Sequence, residues 1–191
     1  MTWEINLFNA MHGIVGQSSL FDFFIVLAAQ YLPYAVVVAA LFFFFTRKPA
    51  RMRLWTLFVV TLTIILSRGI VTELIRFFYS RSRPHIALGF DPLVQASTSS
   101  FPSGHAVLFF ALASVIYVFD KGWGRWFWGF AVVNTLARIV AGVHWPTDIV
   151  GGLIVAIISF YVIRALTKKY APKNSTPASD LPLAPEIQQE T

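Results

Sequence analysis

The chain has no cysteine among its 191 residues, which excludes disulfides, thiolate nucleophiles and cysteine-ligated metals. It also has little charge. Only 13% of its residues are Asp, Glu, Lys or Arg, about half of the roughly 25% usual in a soluble domain. Acidic residues are the scarcer kind, with 9 Asp and Glu against 15 Lys and Arg. Beside 57% hydrophobic and 16% aromatic residues and a mean hydropathy of +0.66, these charges are too few to cover a soluble globule. The composition argues against a soluble enzyme, a nucleic-acid-binding module and a disordered chain. It argues for a one-domain polytopic membrane protein.

What the chain has in quantity is long apolar runs. A bilayer core about 30 Å thick needs roughly 20 mostly apolar residues per helix. Five runs qualify: 20–45, with a kink expected at Pro33; 54–79, interrupted by Arg68, Glu73 and Arg76; 103–119; 126–143, which contains Arg138; and 147–166. None alternates as a barrel strand would. The expected fold is therefore all-α, a polytopic membrane helical bundle of five transmembrane helices. Ahead of them, Trp3, Leu7, Met11 and Ile14 recur at helical spacing, which reads as an interfacial amphipathic helix over 1–19, with a sixth span as the alternative. No basic stretch precedes the first span, so no cleavable signal peptide is read. Residues 1–170 form one membrane domain, and the Pro/Ser/Thr/Gln-rich tail 171–191 is expected to be disordered. Trp123, Trp126 and Trp128 read as interface anchors, the phenylalanine run 42–45 as lipid-facing and His12 as interfacial. His85 reads equally as a residue at a site mouth or in an exposed loop.

The basic residues sort by position. Arg47, Lys48, Arg51 and Arg53 follow the first run, Lys121 and Arg125 the third, and Arg164, Lys168, Lys169 and Lys173 the fifth. The positive-inside rule makes these three segments cytoplasmic loops and flanks, with the N-terminus outside and the C-terminus inside. The remaining cations are all arginine: Arg68, Arg76, Arg81, Arg83 and Arg138. Arg81 and Arg83 break the rule on the outer side. Charges inside spans mark function by default. Glu73 and Arg76 are spaced for an i,i+3 ion pair, and Arg68 is given no site role.

Three clusters remain. Arg76 and Arg83 are seven residues apart, nearly on one face if the helix continues that far. Two guanidiniums that lack a carboxylate each suggest an anion between them. Ser99-Ser100-Phe101-Pro102-Ser103-Gly104-His105 opens the third run, where a helix N-terminus offers free N–H groups to an anion. Ser103 adds a hydroxyl, Gly104 permits close approach and His105 titrates near neutrality. Arg138, His144 and Asp148 straddle the turn between the fourth and fifth runs, with Asp148 placed to hold an imidazole N–H as the third member of a triad does. All three clusters fall on the expected outer face.

In order, the chain reads Arg76-x6-Arg83-Pro84, Pro102-Ser103-Gly104-His105 and Ala137-Arg138-x5-His144-x3-Asp148. This resembles the type-2 phosphatidic acid phosphatase superfamily, whose motifs are Lys-x6-Arg-Pro, Pro-Ser-Gly-His and Ser-Arg-x5-His-x3-Asp. Arg76 stands where the family has Lys, and Ala137 where it has Ser. The resemblance covers roughly residues 70–155. It implies a metal-independent, cofactor-free phosphatase in which His144 is the nucleophile and forms a phosphohistidine. Asp148 would orient His144, and His105 would protonate the leaving oxygen and then activate water. Arg76, Arg83, Arg138, Ser103 and the Gly104 N–H would hold the phosphoryl oxygens. Guanidiniums can supply the charge that other phosphoryl-transfer sites take from Mg²⁺, and no acidic cluster suited to that ion stands out. A site at headgroup depth flanked by apolar helices suits a membrane lipid phosphate as its partner. The short chain resembles bacterial undecaprenyl-pyrophosphate phosphatases, with phosphatidylglycerophosphate, phosphatidic acid and lipid A phosphatases as alternatives. A transporter or channel without phosphatase activity is the reading from another class.

Overall fold

The computed structural model of the protein describes residues 2–46 and 50–172. Arg47, Lys48, Lys173 and the rest of the tail beyond 172, expected to be disordered, lie outside the described residues. The described chain is helical throughout its long elements. In order these are α1 (Thr2–His12), α2 (Ser19–Val26), α3 (Leu32–Thr46), α4 (Ala50–Ile64), α5 (Thr72–Phe78), α6 (Pro84–Leu88), α7 (Gly104–Phe119), α8 (Lys121–Val140) and α9 (Pro146–Thr167). A π-helical turn, Leu27–Tyr31, joins α2 to α3, and a second, Ile65–Val71, joins α4 to α5.

Three continuous helical stretches, Ser19–Thr46, Ala50–Phe78 and Pro146–Tyr170, are long and apolar enough to cross a membrane. They coincide with the first, second and fifth expected spans. The third expected span is the shorter apolar helix α7, 16 residues long. At 1.5 Å per residue it covers about 24 Å, less than a hydrocarbon core. Its position explains how it can be short. Phe109, Phe110, Val115 and Ile116 are buried on every side of it, against α4, α8 and α9. A helix apolar all round belongs in the centre, and α7 is the central post of the bundle.

The fourth expected span is α8, which starts at Lys121 because Asp120 caps it, accepting from Trp123 N at 3.0 Å. Only Asp120 separates α7 from α8. Lys121 and Arg125 therefore stand on the first turns of a helix, a correction to the loop expected there. Long basic side chains can reach water from such turns. The phenylalanine run is also corrected. Phe43 and Phe44 are buried and Phe43 packs on Trp123, while Phe42 and Phe45 are exposed. Helical periodicity turns only half of a four-residue run outward.

Pro33 does more than kink a helix. It has no N–H to offer the carbonyl of Ala29, and the Leu32 N–H bonds back to Leu27 rather than to Ala28. Two carbonyls are thus left without intrahelical donors, and α8 takes both. Asn134 Nδ2 donates to Ala28 O at 2.8 Å, and Arg138 Nη1 donates to Ala29 O at 3.2 Å.

The N-terminal helix α1 spans 11 residues, about 16 Å, which is too short to cross a bilayer. Trp3, Leu7 and Ile14 of the expected stripe are exposed. The opposite face docks on the protein: Phe8 is fully buried and stacks between His12, Phe90 and Trp145. His12 is not simply interfacial, since its Nδ1 lies 2.7 Å from the carbonyl of Val140.

Candidate active site

Chain turns bring the three sequence clusters to one end of the bundle. α5 stops at Phe78, where Tyr79 is extended. Arg76 and Arg83 are therefore not on one helix face, contrary to the sequence expectation. Arg83 instead lies in extended backbone just before α6, and the two still converge across a cavity in front of His144. α8 ends in a Schellman-like turn, with Gly142 N donating to Ile139 O and Val143 N to Arg138 O. Gly142 has φ +85°, and a Cβ there would lie 2.6 Å from the Phe90 ring. That turn delivers His144 to the junction with α9.

His144 is 1% exposed and Asp148, at the third position of α9, is 0% exposed. Asp148 Oδ2 lies 3.3 Å from His144 Nδ1 and also accepts from Trp145 N at 2.8 Å and from the Ser100 hydroxyl. The same carboxylate thus caps α9 and holds the imidazole with its proton on Nδ1, leaving the lone pair on Nε2. His144 Nε2 is 3.4 Å from Arg83 Nη1. Arg83 itself is fixed by backbone, donating to Val143 O and to Thr98 O, both at 2.7 Å.

The cavity has a volume of about 390 Å³. Arg68, Arg76, Arg83 and Arg138 line it together with His105 and the backbone at Gly104. None of the described lining residues is acidic. Among the described residues, Arg76 Nε and Arg138 Nε are buried without a hydrogen-bond partner. A buried donor without an acceptor is costly, and an anion in the cavity would satisfy both. Burial pushes the Arg83 guanidinium down to about 10, with the neighbouring Arg76 charge adding to the shift. It remains a cation at neutral pH. Burial likewise pushes His144 down to about 4 against the opposing hydrogen bond to Asp148, so the imidazole is neutral at pH 7.

The structure thus gathers Arg76, Arg83, Gly104, His105, Arg138 and His144 around one cavity, with Asp148 behind His144. Ser103 is not among the described lining residues. It is fully buried as the cap of α7, its Oγ accepting from Ala106 N, and its backbone N–H donates to Asp148 O at 3.1 Å. His85 is not among the described lining residues; it packs edge-on against Phe90. The structure adds two arginines that the motifs do not contain. Arg68 lines the cavity, and its sequence signal is the one that flags Arg76, a charge inside an apolar run. Arg81 donates to Asp148, Thr147 and Glu4, and its signal is the broken positive-inside rule.

The chain is similar to known proteins in both sequence and fold. Residues 57–171 match the PAP2 superfamily. The chain is 29% identical over 161 residues to the undecaprenyl-diphosphatase BcrC of Bacillus subtilis, covering 83% of this chain and 80% of that protein. It is 29% identical over 164 residues to a lipid A 4'-phosphatase of Porphyromonas gingivalis, covering 81% and 69% respectively. Its fold is similar to the crystal structure of Aquifex aeolicus LpxE, with a TM-score of 0.69 at 24% identity over 84% of this chain and 94% of that one. The family match covers more than half of the chain and includes all three motifs, and the chain belongs to the PAP2 superfamily.

Proposed function

We propose that the protein is an integral membrane lipid phosphatase that cleaves a lipid diphosphate to the monophosphate and inorganic phosphate, undecaprenyl diphosphate being the favoured substrate. The observation that carries this reading is a buried imidazole at a cavity walled by guanidiniums, with its Nδ1 beside a carboxylate. Phosphoryl transfer asks mainly for positioning and for charge around three equatorial oxygens, and Arg76, Arg83 and Arg138 supply both. The relatives named for undecaprenyl diphosphate and lipid A support the class of substrate.

In the proposed chemistry, His144 Nε2 attacks the terminal phosphorus. The bond from phosphorus to the bridging oxygen breaks, and His105 gives that oxygen a proton as the lipid monophosphate leaves. Water then loses a proton to His105 and attacks the phosphohistidine. The P–N bond breaks, releasing inorganic phosphate and restoring both histidines. Asp148 stabilises His144 while it carries positive charge. No step calls on a metal, so activity should survive a chelator. The five-span arrangement, with N-terminus and site on the outer face and C-terminus in the cytoplasm, belongs to the same proposal.

The deciding experiment measures phosphate release by the purified protein in detergent, with undecaprenyl diphosphate and phosphatidylglycerophosphate side by side. Faster turnover of the glycerophosphate lipid overturns the substrate. Full activity of His144→Ala overturns the nucleophile, and no release from any lipid phosphate would favour the transporter reading.

A further inference from the structure

One arginine of the cavity has no part in that chemistry. Arg68 stands at the mouth, its side chain 37% exposed against 9% for that of Arg76, whereas Arg83 and Arg138 are buried. It lies over the start of α7: a Cβ on Gly104 would come within 2.8 Å of Arg68 Nε. Glycine at that position leaves room for the guanidinium as well as for a ligand at the helix N-terminus.

The backbone is irregular where it carries this side chain. In an unbroken α-helix a residue five positions on is turned away by about 140°, so Arg68 and Glu73 would face apart. The π-helical turn Ile65–Val71 changes the register. Thr72 N–H bonds to Ser67 O, and Thr72 Oγ1 donates to the same carbonyl at 2.8 Å. Arg68, Glu73 and Arg76 then share one side. Glu73 Oε1 accepts from Arg68 Nη1 and, at 3.3 Å, from Arg76 Nη1. Single π turns of this kind recur at functional sites.

Charge balance points the same way. Among the described residues, Glu73 is the carboxylate paired directly with cavity arginines, while Asp148 is shared between His144 and Arg81, so the four guanidiniums outnumber the carboxylates that face them and leave an excess of positive charge. A phosphate monoester brings about two negative charges at neutral pH, and a diphosphate ester brings one more. Glu73 is itself 54% exposed, so an anionic ligand can displace it into water at little cost.

The geometry points to Arg68 as the residue that binds the second phosphate of a lipid diphosphate, the one that stays on the lipid. On the phosphatase reading, from which this follows, the guanidinium exchanges the Glu73 carboxylate for the oxygens of the leaving phosphate. It stabilises the charge that grows there as the bridging bond breaks, and so selects diphosphate over monophosphate.

The test compares wild type, Arg68→Gln and Arg68→Lys as full-length protein in detergent. The substrates are a polyprenyl diphosphate and the polyprenyl monophosphate with the same tail. Protection from thermal unfolding by inorganic pyrophosphate and by orthovanadate is measured in parallel. Arg68→Gln should lower kcat/KM for the diphosphate by about tenfold or more and change the monophosphate by less than about twofold. It should weaken protection by pyrophosphate and preserve protection by orthovanadate, while Arg68→Lys should show the same bias to a smaller degree. Equal losses on both substrates, or undiminished turnover of the diphosphate, overturn the assignment. Should Arg68→Gln not fold, Arg68→Lys carries the same comparison, and the same two results support or overturn it. Failure of the underlying phosphatase reading looks different, because wild type then releases phosphate from neither lipid.

Discussion

Arg81 Nη1 donates to Asp148 Oδ1 at 2.8 Å, while its Nη2 donates to Glu4 Oε2 at 2.6 Å. The guanidinium also lies 5.5 Å over the Trp145 ring, and Glu4 accepts from the Thr147 hydroxyl. The carboxylate behind His144 is thereby tied to the first turn of the N-terminal helix. Removing Arg81 leaves two buried carboxylates without their shared cation, a costly arrangement. Arg81→Gln should lower kcat by about tenfold or more with KM changed by less than about twofold, and Arg81→Lys should recover part of the loss. Steady-state phosphate release measures both. A rise in KM with kcat intact would show that Arg81 serves substrate binding instead.

His144 is held at about 4 by burial, below the imidazole value of about 6.5 in an unfolded chain. Between those two values the unfolded chain binds more protons than the folded one. The stability linked to this residue is therefore complete above about pH 6.5 and is lost as pH falls toward 4. Imidazole ¹⁵N titration, assigned with His144→Gln, should find the midpoint near 4, and melting in detergent should decline through the same window. A midpoint at 6.5 or above would contradict a buried neutral nucleophile.

Pro33→Ala restores an N–H that competes for the Ala29 carbonyl now held by Arg138. An interior proline costs a helix about 3 kcal/mol, so the variant should melt no lower than wild type. Arg138 would nonetheless lose a fixed partner, and kcat/KM should fall several-fold. Loss of stability without loss of activity would refute this division.

Gly142→Ala places a Cβ at φ +85° and 2.6 Å from Phe90. Backbone strain of this kind costs about 1–3 kcal/mol, and the ring must also shift. The variant should unfold earlier in denaturant and lose activity, because this turn sets His144. A neutral result would mean that the turn relaxes freely.

The long apolar helices and the motif residues are legible in the sequence because each is a local signal: an apolar run, a charge within it, a fixed spacing. The partners that fix those residues are not. Arg81 meets Asp148 and Glu4 across 67 and 77 positions of sequence, and no periodicity encodes such a pairing. Arg68 has no site role on α-helical spacing, which turns it away from Glu73, and only the π turn reverses that. The motif suggests Ser103 as a ligand, and the sequence does not show that its oxygen also caps α7, accepting from Ala106 N. Pro33 signals a kink, yet its consequence lies in α8, where the two freed carbonyls are bound. The seven-residue spacing of Arg76 and Arg83 suggests a shared helix face, and the end of α5 at Phe78 removes it.

The shortness of α7 bears on depth. With Asp120 placed at the inner boundary of the membrane, as the proposed orientation would have it, 16 residues of helix would lift Gly104 and His105 only about 24 Å toward the other side of a core about 30 Å thick. Any tilt lowers them further. The reacting phosphorus must then descend below the plane of the surrounding headgroups, shedding water on the way. The arginine-walled cavity is the polar well that makes such a descent tolerable. A lipid whose anionic group is held rigidly at the surface by its neighbours would be excluded by depth before it was tested by shape.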